Sequence, residues 1–212
     1  MSRTQKETLP QTADLLPPEF DTPPADPIAL FRAWLSVAVE NLVREPGALA
    51  LATADGEGHA SNRIVQLGRV TSDGFVFITH VGSQKGRELE VNAWGSAVLY
   101  WRELNRQIVL SGPVARLPDA ESEALWSARS IAAQVMTAAS RQSEPMDDVE
   151  ALRAEVRRLA DLRAPLPRPD TFAGYHLAPE LVEFWQGSAD RLHGRLRYRR
   201  AAGGWSTCRL QP

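Results

Sequence analysis

The chain has 212 residues, of which 43% are hydrophobic, so we expect one domain with appendages and not two domains. Its formal net charge of -2 argues against nucleic-acid binding, which usually shows as a strong basic excess. A single cysteine, Cys208, together with the absence of a signal-peptide pattern and of any apolar run of about 18 residues, predicts a soluble, cytoplasmic protein with no disulfide and no membrane span.

The N-terminal region, residues 1–25, predicts a flexible arm, because it is polar, punctuated by proline and poor in large apolar side chains. An ordered domain is expected over residues 26–212. Asp26 is the expected N-cap of a first helix, with Pro27 at its first position. The helix is expected to stop before Pro46 and to bury a stripe made of Leu30, Phe31, Trp34, Leu35, Val39 and Leu42.

The middle of the chain changes to short β-type runs separated by turn signals, which predicts an antiparallel meander. The predicted strands cover residues 48–54, 61–70, 75–79, 96–101 and 107–117, with a short helix over 85–91. The pattern predicts helix over residues 119–163, and the prolines that follow are expected to end it. Strands are again expected over 172–177 and 181–186, followed by a hairpin of 196–200 and 205–210. The pattern predicts a β-barrel or curved sheet with helices, an α+β fold.

Conventional catalytic signatures are absent from the sequence: it contains no nucleophile elbow, no zinc-protease motif and no nucleotide-binding glycine loop. Its histidines lack the spacing of metal ligands, so no metal site is predicted; they are His59, His80, His176 and His193. Chemistry must therefore come from other residue types or from a cofactor.

Two segments have the composition of an anion site. Residues 82–87 follow a strand and open a helix, and their free N–H groups, serine hydroxyl and lysine suit a dianionic phosphate. The alternative is a solvated loop with a surface lysine. In residues 61–67, strand alternation puts Arg63 and Val65 on one face and Ile64 and Gln66 on the other. The alternative there is an edge-strand charge kept for solubility.

A third segment lies near the C-terminus. If it is extended, Arg191, His193 and Arg195 share one face beside Trp185. Such a cationic row could hold carboxylates or phosphates while the indole packs on a flat ring. The alternative is a basic β-hairpin, because further arginines follow in the sequence.

Taken together, these segments resemble the pyridoxamine 5'-phosphate oxidase family. The resemblance runs from about residue 26 to residue 212 and preserves the family's order of motifs. These are D-P-I-A-L-F-R-A-W-L, R-I-V-Q-L, G-S-Q-K, N-R-Q-I, R-Q-S, L-P-R-P, E-F-W-Q-G, R-L-H-G-R and R-L-Q-P. The resemblance implies an FMN-binding split β-barrel that works as a homodimer, with FMN at the subunit interface.

The resemblance also implies a set of FMN contacts. It places Arg63, Ser83 and Lys85 at the phosphate end, and Gln84 stands where many relatives have arginine. The residues implied along the flavin are Ile64, Val65, Gln66, Ile78 and Thr79. Those implied at the ribityl chain or the ring, some of them from the partner subunit, are Gln107, Gln142, Ser143, Trp185 and Arg195.

On the substrate side the sequence departs from the family pattern. Relatives hold the substrate phosphate with a lysine, a tyrosine, an arginine and a serine. The corresponding positions here are Gly68, Leu125, Arg129 and Ala133, so only the arginine is retained. Arg191 and His193 match the family's ring-side residues and are implied as catalytic and substrate-binding, with Arg129 as a further substrate ligand. We expect a small, planar, non-phosphorylated carboxylate as substrate.

Within the family, the sequence is most similar to the flavin oxidases of phenazine biosynthesis. The similarity includes T-H-V-G-S-Q-K-G-R-E-L, L-Y-W-R-E and R-L-H-G-R-L-R-Y. It implies oxidation of partly reduced phenazine carboxylic acids with dioxygen as the electron acceptor. One alternative is an ordinary pyridoxamine 5'-phosphate oxidase, and a second is a flavin-binding protein without turnover.

Overall fold

The computed structural model describes residues 16–212. In this range the helices are α1 (Pro27–Glu40), α2 (Gln84–Val91), α3 (Asp119–Ser127), α4 (Ile131–Ala139) and α5 (Val149–Asp161). The strands are β1 (Ala48–Ala54), β2 (Ala60–Val70), β3 (Phe75–His80), β4 (Trp94–Trp101), β5 (Arg106–Arg116), β6 (Phe172–Leu177), β7 (Leu181–Gln186), β8 (Gly194–Ala201) and β9 (Gly204–Arg209). Among these residues, no helix has the length and apolar character needed to cross a bilayer.

Six strands close a barrel in the order β1-β2-β3-β6-β5-β4, because β4 pairs with β1 as well as with β5. Each of these pairings is antiparallel. The predicted β-barrel with helices is therefore confirmed. Strands β7, β8 and β9 leave the barrel as an antiparallel extension.

Strand β5 is where the sheet divides. Its residues 106–111 pair with β7, whereas its residues 114–116 pair with β6. Gly112 and Pro113 lie between the two pairings. A Cβ atom at Gly112 would clash with the Ala178 carbonyl oxygen, and Pro113 has no N–H to donate to a neighbouring strand. Both residue types therefore suit the point at which the ladder changes partner.

Helix α1 covers one side of the barrel core. Asp26 caps it as predicted, with its Oδ1 atom accepting from the Ile28 N–H at 2.8 Å. Trp34 packs edge-on against Phe184 of β7, with ring centroids 5.1 Å apart. Two residues predicted on the buried stripe, Val39 and Leu42, are 56% and 87% exposed. Val39 lies within α1, but Ala38 takes the buried position in that turn. Leu42 follows the end of the helix and has a left-handed backbone (φ 55°).

The segment before α1 differs from the predicted arm. Residues 1–15 lie outside the described residues, so the arm can be compared only from residue 16 onwards. There a short 3-10 helix (Pro18–Phe20) buries Phe20 to 1% exposure, and the Tyr198 hydroxyl donates to the Pro24 carbonyl at 3.0 Å. The 3-10 helix therefore packs on α1 and β8, because Phe20 joins the main apolar core beside Trp34.

The helical stretch predicted over residues 119–163 is three helices around a second apolar core. Ser130 starts a new helix by accepting from the Ala133 N–H, and residues 140–148 form a loop before α5. This core contains Trp126, Val135, Leu159, Leu166 and Phe172. It holds the connection between α3 and α4 close to β6.

Candidate active site

A cavity of about 470 Å³ lies where β2 and β3 meet α2, the α3–α4 connection and the loop after α4. Its size is typical of a site for a cofactor or a drug-sized ligand. It brings together one residue that sequence reasoning missed, Asn62, and most of the predicted site residues. The latter are Arg63, Ile64, Val65, Gln66, Ile78, Thr79, Gln84, Lys85, Arg129, Gln142 and Ser143.

Lys85 is the most deeply buried cation of this cavity, at 5% exposure. Its Nζ atom donates to Thr79 Oγ1 and to Gln142 Oε1, both at 3.1 Å, and lies 3.5 Å from Ser83 Oγ. All three acceptors are neutral. Burial, and then the charge of Arg63, lower the pKa of Lys85. A buried ammonium with neutral partners beside an open cavity is a site for an anionic ligand.

Ser83 lies two residues before Lys85 and caps the same helix. It is fully buried and caps α2, accepting from the Gly86 N–H at 3.3 Å and donating to the His80 carbonyl at 2.7 Å. It does not line the cavity. A Cβ atom at Gly86 would clash with the His80 and Val81 carbonyls, so glycine allows the first turn of α2 to lie against the end of β3.

Glu88, which sequence reasoning missed, is buried behind the cavity and holds Arg63 in place. Arg63 Nη2 donates to its carboxylate at 3.2 Å, and Gln84 Nε2 donates to it at 2.9 Å. Thr53 and Ser61 donate to the same carboxylate. Burial alone would raise the pKa of Glu88, but these hydrogen bonds together lower it. The signal was available, because positions 84 and 88 lie one helical turn apart.

Arg129 lines the same cavity from the α3–α4 connection. Its Nη2 atom donates to the Ala133 carbonyl at 3.1 Å and to Thr137 Oγ1 at 3.0 Å. The guanidinium carbon lies 5.4 Å from the centre of the Phe172 ring. Burial lowers the pKa of Arg129, and within residues 16–212 no carboxylate pairs with it. It is the second cation of the cavity with no direct counter-ion.

The remaining predicted cofactor residues form a second cluster on the strand extension. Gln107, Trp185 and Arg195 are direct neighbours across β5, β7 and β8, so their side chains share one face of the sheet. Arg195 Nε donates to Glu183 at 2.7 Å, and Arg195 Nη1 donates to the Gln211 carbonyl at 3.1 Å. This cluster does not line the cavity.

The cationic row of Arg191, His193 and Arg195 required an extended segment, and this condition is not met, because β8 begins only at Gly194. Arg191 is exposed and has a left-handed backbone, with φ at 67°. Local hydrogen bonds explain the loop. The Asp190 carboxylate accepts from the Ser188 hydroxyl at 2.6 Å and from the Leu192 N–H at 2.8 Å. Such contacts compete with strand pairing.

His193 is held within this loop, beside Trp185. Its Nδ1 atom accepts from the Ser188 N–H at 3.0 Å, and its ring lies 4.9 Å from the Trp185 ring. The hydrogen bond assigns the proton of the neutral imidazole to Nε2. Nε2 is therefore the nitrogen that can donate to a ligand.

The three positions at which family phosphate ligands are replaced lie outside the cavity lining. Gly68 lies at a register shift between β2 and β3. Leu125 packs against the second apolar core, and Ala133 contacts Arg129 through its backbone carbonyl. Arg129 alone of the four substrate positions lines the cavity.

Comparison with known proteins identifies the class to which this fold and site belong. Residues 35–163 match the family model described as pyridoxamine 5'-phosphate oxidase. Residues 172–212 match the model described as the pyridoxine 5'-phosphate oxidase C-terminal dimerisation region. The chain belongs to the pyridoxamine 5'-phosphate oxidase family. It is therefore an oxidoreductase of a flavin-dependent family.

Individual proteins are similar to the chain over most of its length. The chain is 47% identical to dihydrophenazinedicarboxylate synthase of Pseudomonas chlororaphis, over 100% of this chain and 96% of the relative. It is 43% identical to pyridoxine/pyridoxamine 5'-phosphate oxidase of Rubrobacter xylanophilus, over 88% of this chain and 87% of the relative. Among solved structures, it matches PhzG from Burkholderia lata 383 in complex with tetrahydrophenazine-1-carboxylic acid. That match has a TM-score of 0.93 and 46% identity, and covers 95% of this chain and 100% of the other.

Proposed function

We propose that this protein is an FMN-dependent oxidase of phenazine biosynthesis that oxidises partly reduced phenazine carboxylic acids, with dioxygen as electron acceptor. The observation that carries the proposal is the pair of cavity cations without a direct carboxylate partner, Lys85 and Arg129. Two such cations suit two anionic groups, the phosphate of FMN and the carboxylate of the substrate. The match to a phenazine-binding relative over the whole fold supports the same conclusion.

The cavity residues fit FMN. Lys85 and Arg63 would hold the phosphate, because both are cationic, line the cavity and are fixed by neighbouring side chains. Gln142 and Ser143 would contact the ribityl chain. The flavin would lie along Ile64, Val65, Gln66, Ile78 and Thr79, among which Ile64 offers a large apolar side chain that is 67% exposed.

The second cluster supports a homodimer with FMN at the subunit interface. Gln107, Trp185 and Arg195 do not line this subunit's cavity, and two of the three lie in the region matched by the dimerisation model. We infer that the partner subunit supplies them, so that each site is completed across the interface. Arg191 and His193 would arrive with the same strand extension.

FMN, when bound, would supply the redox chemistry, namely acceptance of a hydride from the reduced ring and transfer of its two electrons to dioxygen, which with two protons gives hydrogen peroxide. The chain itself orients the substrate. Arg129 would pair with the carboxylate, and Trp185 would pack on the ring system. The proton leaving the substrate would pass to solvent, and Nε2–H of the partner's His193, whose ring is held by Ser188, would donate a hydrogen bond to the substrate.

A second candidate is pyridoxamine 5'-phosphate oxidase, which is favoured by the 43% identity to an enzyme of that name. Arg129 would bind the substrate in both candidate functions. Gly68, Leu125 and Ala133 weigh against it, because they offer no side-chain donor to a phosphate.

Aerobic turnover of the purified protein tests the proposal. We expect FMN, and not FAD, to be released on denaturation, and hydrogen peroxide to form with a dihydrophenazine carboxylate. A protein that binds no flavin would contradict the cofactor assignment. A flavin-loaded protein that forms no peroxide with any reduced phenazine carboxylate would contradict the oxidase assignment.

A further inference from the structure

The donors of Arg129 are divided unequally between protein and cavity. A guanidinium carries five N–H groups. Both hydrogens of Nη2 have acceptors on α4, the Ala133 carbonyl and the Thr137 hydroxyl. The Nε atom is buried without a hydrogen-bond partner among residues 16–212. Nη1 is therefore the nitrogen left to meet a ligand.

This division restricts how Arg129 can bind an anion. An arginine grips a carboxylate or phosphate bidentately through either Nε and Nη2 or Nη1 and Nη2. Both forks need Nη2, which α4 already occupies. Arg129 thus offers a single nitrogen with two hydrogens. A phosphate dianion needs several donors, whereas a carboxylate on a planar ring can be oriented by one.

Of the two acceptors that hold Nη2, only the one at Thr137 depends on which side chain is present. The Ala133 carbonyl would be present with any residue at that position, whereas the second acceptor is a side-chain hydroxyl. Positions 129, 133 and 137 are four residues apart, so Thr137 lies on the face of α4 along which the Arg129 side chain runs. On its other side, the guanidinium lies near the Phe172 ring.

We propose that Thr137 is a positioning residue that determines specificity. By occupying Nη2, it keeps Arg129 in a single-nitrogen mode that accepts a planar carboxylate and disfavours a phosphate ester. The proposal rests on the proposed function, because it takes the substrate carboxylate as the partner of Arg129.

The test compares the FMN-loaded wild-type protein with Thr137→Val and Thr137→Ser. Thr137→Val keeps the shape and removes the acceptor, so the guanidinium is no longer fixed in the orientation that points Nη1 at the substrate carboxylate. We therefore expect KM for a dihydrophenazine carboxylate to rise about tenfold with little change in kcat. Binding of pyridoxal 5'-phosphate, measured by calorimetry, should tighten relative to binding of phenazine-1-carboxylate, because one Nη2 hydrogen becomes available while the other stays with the Ala133 carbonyl. Thr137→Ser restores the acceptor and should restore both values.

Ser130→Ala is the matched control. It removes the N-cap of α4, which should lower the Tm, but Ser130 makes no hydrogen bond to Arg129. An equal rise in KM in Ser130→Ala, or no recovery in Thr137→Ser, would overturn the proposal. So would an unchanged KM and ligand preference in Thr137→Val. Wild-type protein that neither binds phenazine-1-carboxylate nor oxidises the reduced compound would contradict the proposed function itself.

Discussion

Lys85 is the residue on which cofactor binding should depend most. Its Nζ atom has neutral acceptors only, so the FMN phosphate would be its first anionic partner. We expect Lys85→Met to weaken FMN binding by about 1.5 to 3 kcal/mol, roughly ten- to a hundredfold in Kd. Flavin titration of the apoprotein measures this. Riboflavin, which lacks the phosphate, is the control: it should bind wild type and variant alike, and equal losses for both ligands would contradict the phosphate assignment.

The lowered pKa of Lys85 predicts that FMN affinity depends on pH. Burial, followed by the charge of Arg63, lowers the pKa of Lys85, so the ammonium loses its proton at a lower pH than an ordinary lysine does. Affinity for FMN should be full below this pKa and should fall as the pH rises through it. Lys85→Arg remains charged and should retain affinity at a pH where wild type has lost it. An identical alkaline loss for riboflavin would show that Lys85 is not its cause.

At the scale of elements, Glu183 joins the strands of the extension. It lies on β7 and is 5% exposed, and its carboxylate accepts hydrogen bonds from Arg195 and Arg197 of β8. Removing one partner of a buried ion pair costs about 3 to 5 kcal/mol, and we expect about 3 because both arginines remain partly exposed. Urea unfolding of Glu183→Gln measures the loss. Glu180→Gln, an exposed glutamate beside the same strand, should change stability by less than about 0.5 kcal/mol.

Regular elements could be predicted from sequence because their patterns are local. The alternation in β2 and the proline-capped start of α1 specify strand and helix without reference to the rest of the chain. The errors arose where a short-range contact competes with the pattern. Ser188 and Asp190 close a loop in place of an earlier β8, and Ser130 starts a new helix inside a continuous helical pattern.

The candidate site could be predicted from sequence only in part. The motif around Lys85 suggested an anion site by composition, and the family resemblance supplied the cavity residues of β2 and β3. The spacing of Gln84 and Glu88 indicated their contact, but the pairing of Glu88 with Arg63 and of Thr137 with Arg129 could not be predicted, because the tertiary structure brings each arginine to its partner. Side-chain contacts between distant segments are not encoded in local periodicity.

At the scale of the whole molecule, the separation of the two residue clusters predicts the oligomeric state. The FMN-loaded protein should have twice the mass of the chain by light scattering, because Trp185 and Arg195 would complete the partner's cavity. Dilution to the monomer should release flavin. A monomer that retains FMN would contradict the shared site.

The identity of the substrate is tested most directly by anaerobic stopped-flow reduction of the FMN-loaded protein. Arg129 is the only one of the four substrate positions that lines the cavity, and one guanidinium suits a ring carboxylate better than a phosphate dianion. A dihydrophenazine carboxylate should therefore bleach the flavin absorbance much faster than pyridoxamine 5'-phosphate does at the same concentration. Faster reduction by pyridoxamine 5'-phosphate would contradict the account and favour the second candidate.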